Sequence, residues 1–316
     1  MTRDQKAPVC VLGAGLIGGS LLRAATAAGY PAWGYNRSEA GARAAAADGF
    51  DVTGDLGAAL TRAAESDALI VIAVPMPAVD HLLGAIEDLA PACALTDVVS
   101  VKGPVARAVR EHGLARRYVG GHPMAGTSES GWSATDPELF RDAVWAVGVD
   151  EGAHAQVWTR VARLALDCGS VVVPVEAEDH DRAVARISHL PHVLAEALAV
   201  AGAAGGPLAL GLAAGSFRDG TRVAGTAPEL VRAICEPNRD ALLSVIDDAL
   251  TVLTAARDSL SAEGSLAELT EAGHDGRLEY DTLRRWEITG VRPGDHDWTA
   301  RLREAGRDGG VFTKLP

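Results

Sequence analysis

A chain of 316 residues with 42 acidic and 29 basic side chains carries a formal net charge of −13. Such a surface repels phosphate backbones and anionic bilayers, so neither nucleic acid nor a membrane is expected as a partner. The 48% hydrophobic and 22% charged fractions exclude a disordered chain, and the length suggests two domains at roughly 150 residues each.

No uninterrupted run approaches the roughly 20 apolar residues of a membrane span. Met1 to Ala7 is polar and leads directly into a strand, so no secretory signal is read there and a cytoplasmic location is expected. Cys10, Cys93, Cys168 and Cys235 are far apart, with no Cys-x-x-Cys pairing, which points to buried free thiols. Lysine occurs only at positions 6, 102 and 314, so a lysine inside a motif stands out.

From the N-terminus, short β-branched apolar runs predict strands at 9–12, 32–35, 69–74, 95–99, 118–120, 144–149 and 171–175. Helical periodicity falls between the earlier ones, at 16–28, 38–47 and 79–89. Strands without polar alternation are buried on both faces, as in a parallel sheet covered by helices. Alternation of the two types gives a doubly wound α/β domain over residues 1–174.

From residue 175 to 316 the pattern becomes helical, with segments at 179–204, 208–214, 228–235 and 237–261. In the last of these, Leu243, Ile246, Leu250, Leu253 and Leu260 form a stripe wide enough to bury against another helix of the same domain or against a second subunit. Residues from Gly276 onward are rich in Arg, Asp and Gly and read as an extended tail with a short helix near Leu283.

Gly13-Ala14-Gly15-Leu16-Ile17-Gly18 follows the first strand and opens the first helix. In that position a G-x-G-x-x-G run is the dinucleotide fingerprint of a Rossmann-like domain. It combines a tight turn, close backbone approach to a pyrophosphate and close helix–strand packing. The helix N-terminus then presents N–H groups to the phosphates. At the end of the second strand, where NAD binders tend to place a carboxylate, the chain has Asn36-Arg37-Ser38. Asn36 does not repel a 2′-phosphate, Arg37 can pair with it and Ser38 can donate to it, so NADP is expected in preference to NAD. Val74 and Pro75, after the strand at 69–74, are expected to line the nicotinamide pocket.

The densest cluster of chemistry is Gly120-Gly121-His122-Pro123-Met124-Ala125-Gly126-Thr127. A histidine in a glycine-rich loop at a strand end suits proton transfer, because an imidazole titrates near neutral pH. His180, His189 and His192 do not form a metal site on this reading: Pro191 intervenes and no acidic ligand stands at helical spacing. No metal is expected. Hydrolase elbows, P-loops and H-E-x-x-H are absent from the sequence.

Five blocks in order resemble the prephenate/arogenate dehydrogenases of tyrosine biosynthesis. They are the glycine fingerprint; Thr96-Asp97-Val98-Val99-Ser100-Val101-Lys102-Gly103; the His122-Pro123-Met124-Ala125-Gly126 loop; His180-Asp181 with Ser188-His189-Leu190-Pro191-His192; and Phe217-Arg218-Asp219-Gly220-Thr221-Arg222-Val223-Ala224. The resemblance runs from Val9 to about Ala255.

It implies a Rossmann-like domain followed by an all-helical dimerisation domain, and a homodimer. It implies that His122 accepts the proton of a ring hydroxyl and that Ser100 contacts the same hydroxyl. Arg222 then binds a substrate carboxylate, with His192, His180, Asp219, Gly215, Gly126 and Thr127 around the pocket. The implied reaction is NAD(P)-dependent oxidative decarboxylation of prephenate to 4-hydroxyphenylpyruvate, with arogenate or 4-amino-4-deoxyprephenate as alternative substrates.

Relatives often carry a glutamate where this chain has Ser128, with Glu129 one place on, and some carry an aromatic residue where it has Val231. These positions are expected to bear on which substrate is accepted. Many relatives also carry a regulatory ACT domain. The residues beyond Gly264 are too few and too polar for one, so weak tyrosine feedback at most is expected. Two other readings fit less well. β-Hydroxyacid and 6-phosphogluconate dehydrogenases use a lysine in the helical domain, and here only Lys102 stands between Lys6 and the tail. A non-catalytic NADP-binding sensor would tolerate loss of His122.

Overall fold

The computed structural model describes residues 6–127 and 129–316. Residues 1–5 and Ser128, which both entered the sequence expectations, lie outside the described residues. Contacts divide the chain into two compact units. The first comprises Met1–Asp181, Gly225–Pro237 and Glu287–Pro316. The second comprises Arg182–Ala224 and Asn238–Trp286.

The first unit opens with β1 (Val9–Leu12), α1 (Leu16–Ala27), β2 (Ala32–Tyr35), α2 (Glu39–Ala47), β3 (Val52–Thr53), α3 (Leu56–Glu65), β4 (Leu69–Ile72), α4 (Val79–Leu89), β5 (Ala94–Asp97) and α5 (Gly103–Glu111). Strands β1 to β5 form a parallel sheet in the order β3-β2-β1-β4-β5. Strand residues alternate between two cores, because successive side chains point to opposite faces. Val9, Val11, Leu69 and Val71 face one core, with Leu21 and Leu22 of α1. Cys10, Leu12, Ile70 and Ile72 face the other, with Leu60 of α3 and Leu83 and Ile86 of α4. Burial on both faces is what the unbroken apolar runs imply. Helix starts are capped locally: Ser38 Oγ accepts from the Gly41 amide at 3.2 Å and Asp55 Oδ1 from the Ala58 amide at 3.0 Å.

A second sheet follows, built from β6 (Gly121–Pro123), β7 (Val144–Gly148) and β8 (Val171–Val175), with α6 (Ala155–Asp167) between the last two. β6 runs antiparallel to β7, and β7 parallel to β8. The predicted strand at 118–120 is shifted: Tyr118 makes only a bridge to Leu95, and the strand proper begins at Gly121. The strand expected at 69–74 stops at Ile72. β3 escaped the sequence reading because it is two half-buried residues long, too short for a pattern.

Next come α7 (Ala177–Val184), a π turn at Ala185–His189, α8 (Leu190–Ala204), α9 (Gly206–Gly211), α10 (Gly215–Gly220), α11 (Pro228–Cys235), α12 (Arg239–Glu263) and α13 (Ala267–Thr282). The helix predicted over 179–204 therefore contains a widened turn. Pro191 has no amide to donate to the carbonyl of Ile187, and the π turn lies just ahead of it. Ala177–Ala204 reaches the length of a membrane span, with a mean hydropathy of 1.2 in its most apolar window and 11% of that window buried. His189, His192 and Glu196 interrupt it, so no run of uninterrupted apolar residues reaches that length.

The C-terminal region corrects the sequence reading. Residues from Gly276 onward are not an extended tail, because α13 continues to Thr282 and the last thirty residues belong to the first unit. There β9 (Trp286–Glu287), α14 (Trp298–Arg307) and β10 (Gly310–Val311) form. Trp298 and Phe312 pack edge-on against Trp158 of α6, with ring centroids 5.9 and 5.7 Å apart. Phe312 also exchanges both backbone hydrogen bonds with Val172, at 2.8 and 2.9 Å. All four cysteines are buried free thiols, and burial raises those of Cys10 and Cys168 to about 12.

Candidate active site

The glycine run forms a cradle at the C-terminal ends of β1 and β4, the switch point where a sheet of this order binds its ligand. Gly13 has φ +113°, and a Cβ there would lie 2.5 Å from the Ala73 carbonyl oxygen. A Cβ on Gly18 would lie 1.9 Å from the Gly13 oxygen, so only glycine lets α1 sit this close to β1. Around Gly15, in contrast, a Cβ would meet nothing within 4 Å. Gly15 is the N-cap of α1, with no side-chain cap and no acidic residue in the first turn. Leu16 and Ile17 supply first-turn amides on an open face, where an anion would be welcome. The cradle fits a dinucleotide pyrophosphate.

Around it, Val74 presses on Gly13 and is half-buried, while Pro75 is exposed and caps a single 3-10 turn. Asn36 is half-buried at the end of β2, and its Oδ1 accepts from the Ser38 amide at 3.4 Å. Ser38 Oγ, expected as a donor, also accepts as the N-cap of α2, while Arg37 is exposed.

Two histidines meet in the first unit. His122, in the middle of β6, places Nδ1 2.9 Å from Nε2 of His180 on α7, with the rings edge-on. His180 in turn places its own Nδ1 2.8 Å from Asp181 Oδ1. Asp181 is fixed at the start of α5, accepting from the backbone amides of Lys102 at 2.7 Å and Gly103 at 2.8 Å. Burial pushes its carboxyl up, but the His180 hydrogen bond and the two amides outweigh that and hold it below the usual value. Burial lowers His180, against the Asp181 hydrogen bond and with help from the Lys102 charge.

These shifts assign the protons. An ionised Asp181 only accepts, so His180 carries its proton on Nδ1 and, being neutral, accepts at Nε2. His122 must then donate from Nδ1, which puts its lone pair on Nε2. The arrangement is that of a general base oriented by a second and a third group.

Ser100 is half-buried in the turn between β5 and α5. Gly126 and Thr127 are exposed beyond β6, and Thr127 Oγ1 accepts from the Glu129 amide at 3.2 Å. Four residues near this cluster received no role from the sequence: Asp97, Lys102, Tyr118 and Asp181. Lys102 stood out only by rarity, and Asp181 only as the neighbour of His180.

The second unit holds the other expected residues: His192 on α8, Gly215 and Asp219 on α10 and Arg222 just after it. Burial lowers His192, Glu196 raises it and the nearby Arg222 charge lowers it further. α10 approaches α8 closely, since a Cβ on Gly202 would lie 2.4 Å from the Phe217 ring and one on Gly220 2.8 Å from Leu198. His189 is buried, with Asn238 Nδ2 donating to its Nδ1 at 3.1 Å.

A glycine cradle on a parallel sheet, in one unit with an oriented imidazole, defines a nicotinamide-dinucleotide oxidoreductase. Comparison with known proteins gives the family. The model of the prephenate dehydrogenase nucleotide-binding domain matches residues 25–174, and that of its dimerization domain matches 176–272. Cyclohexadienyl dehydrogenase of Zymomonas mobilis is 33% identical over 270 residues, 81% of this chain and 89% of that protein. Prephenate dehydrogenase of Bacillus subtilis is 31% identical over 272 residues, 82% of this chain and 72% of that protein. A crystal structure from Corynebacterium glutamicum, described as a candidate prephenate dehydrogenase, is 47% identical with a TM-score of 0.94, covering 99% of this chain and 100% of that one. The chain belongs to the prephenate dehydrogenase family and is an NAD(P)-dependent oxidoreductase.

Proposed function

We propose that this enzyme oxidatively decarboxylates prephenate to 4-hydroxyphenylpyruvate, as a cytoplasmic homodimer, with NADP preferred to NAD. The observation that carries the reading is the His122–His180–Asp181 chain, which presents an imidazole lone pair at His122 Nε2. When bound, the dinucleotide supplies the acceptor for the hydride that leaves the ring carbon bearing the hydroxyl. His122 takes the hydroxyl proton as that C–H bond breaks, and Ser100 holds the oxygen. The ring carboxylate then leaves as carbon dioxide, its bonding pair completes the aromatic ring, and His122 returns the proton to the phenolate oxygen. Aromatisation drives the sequence, so the protein's work is orientation and the handling of one proton. Arg222 suits a substrate carboxylate as a planar bidentate donor, with His192, Asp219 and Gly215 beside it in sequence or space and Gly126 and Thr127 on the His122 loop.

The cofactor preference rests on Asn36 and the exposed Arg37 at the end of β2, where no carboxylate repels a 2′-phosphate. Asn36→Asp is expected to swing the NADP/NAD ratio of kcat/KM toward NAD, and an unchanged ratio would remove the assignment. The homodimer rests on the dimerization-domain match and on the leucines that α12 leaves exposed.

The deciding experiment is reduced-cofactor formation with prephenate and with arogenate, each with NADP and NAD, for wild type and His122→Asn. One substrate turns over, and the variant loses about 100-fold or more in kcat, the order lost with a general base. Wild-type kcat in His122→Asn, or turnover of neither substrate, overturns the reading.

A further inference from the structure

Beneath the histidine pair lies a buried polar knot that the reaction above does not use. Asp97, at the end of β5, is fully buried and Lys102, five residues on, is 3% exposed. The Lys102 ammonium pairs with Asp97 Oδ1 and also donates to the carbonyl of Gly121 at 2.6 Å. Asp97 accepts from the Tyr118 hydroxyl at 2.6 Å and from the Val99 amide at 2.8 Å. Gly121 immediately precedes His122, and the turn from Asp97 to Lys102 contains Ser100. The Lys102 amide itself holds Asp181.

We propose that Lys102 is a positioning residue for proton transfer: its buried ammonium ties the Gly121 carbonyl to Asp97, fixing the strand that carries His122 against the turn that carries Ser100. The role of His122 rests on the function proposed above; the knot itself does not. A buried ion pair is poor evidence for stability, because desolvation offsets its attraction, so the knot is better explained by the geometry it sets. The Lys102 ammonium fixes β6, its amide fixes Asp181, and its charge faces His180. Burial lowers Lys102, Asp97 pulls it back up, and Asp181 and Asp150 do so more weakly. The groups facing His180 are Asp181, Lys102, Asp97 and His122, and among them the ammonium opposes a proton on His180.

The test uses the full chain as wild type, Lys102→Met and Tyr118→Phe. Imidazole 15N NMR titration reads the His122–His180 pair without turnover, kinetics give kcat and KM, and fluorescence gives the cofactor Kd. In Lys102→Met the midpoint of the pair is expected to rise by about half a pH unit or more, because a cation facing it is gone. kcat falls by about 100-fold, as for a small misplacement of reacting groups, while cofactor Kd stays within about threefold. Tyr118→Phe keeps the ammonium but loosens Asp97. It is expected to lower kcat by about fivefold with the midpoint and KM unchanged.

An unmoved midpoint with wild-type kcat overturns the proposal. So does a loss of kcat that merely tracks a loss of cofactor affinity and thermal stability. Should Lys102→Met not fold, Tyr118→Phe decides alone, and wild-type kcat there overturns the role. A wild type that turns over neither prephenate nor arogenate removes the proposed function, and the titration of Lys102→Met still decides this one.

Discussion

His180 donates to Asp181 and accepts from His122, and the second of these depends on its being neutral. Burial lowers it, only partly opposed by the Asp181 hydrogen bond. A neutral ring can accept from His122; a protonated one cannot. The same shift has a consequence for stability. The unfolded chain takes up a proton as pH falls below about 6.5, while the folded chain resists it, so stability contributed by neutral His180 is present above that pH and is lost below it. Asp181, held below its usual value, loses its contribution only in a more acidic window. His112 works in the opposite sense, since hydrogen bonds to Glu87 and Asp80 raise it, but it is near the surface and solvent screens the effect. Thermal midpoints measured from pH 7 to pH 5 are therefore expected to fall, and to fall less steeply in His180→Gln; parallel slopes would refute the assignment. The glycine turn and His122 were singled out in the sequence because a motif carries them, whereas His180 was expected around the pocket and its pairing with His122 was not read. Asp97, Lys102 and Tyr118 received no role, because what they do rests on pairings that only the folded chain creates.

Helices and strands were legible where one periodicity ran long enough. β1, β2 and β4 are apolar throughout and buried on both faces, so their sequences leave little choice. α14 was missed although Trp298, Leu302 and Ala305 lie at helical spacing and are buried. Six of its ten residues are polar, charged or glycine, and that composition masked the stripe. Packing between α8 and α10 was equally invisible, since Gly202 and Gly220 look like helix breakers until the Phe217 and Leu198 side chains fill the space beside them. Gly202→Ala is expected to force the Phe217 ring aside, at a cost of about 1–3 kcal/mol as for other overpacked sites. Because α10 carries Asp219 and leads into Arg222, the substrate KM should rise, while cofactor Kd, set by the first unit, stays at the wild-type value. Equal losses of both affinities would show that the packing matters only for global stability.

At the scale of the whole molecule, the second unit leaves much apolar surface uncovered. α12 spans 25 residues yet buries only Leu242 and Val245, while Leu243, Leu250, Leu253 and Leu260 are each about half exposed. The sequence left this stripe open between an internal core and a subunit interface, because periodicity identifies an apolar face without saying what covers it. Exposure in the single chain removes the first option for those four leucines. A contiguous apolar face of this kind on a chain of net charge −13 invites a partner that is itself apolar there, and a second copy qualifies. Sedimentation at micromolar concentration is expected to give about twice the 32.6 kDa chain mass. Leu253→Glu would place two like charges in a self-complementary interface, so the variant should sediment as a single chain with its far-UV circular dichroism preserved. In the glycine cradle nothing changes, so cofactor Kd should hold. A wild type that sediments at the single-chain mass, or a Leu253→Glu variant that stays dimeric, would mean that this face of α12 is not where the subunits meet.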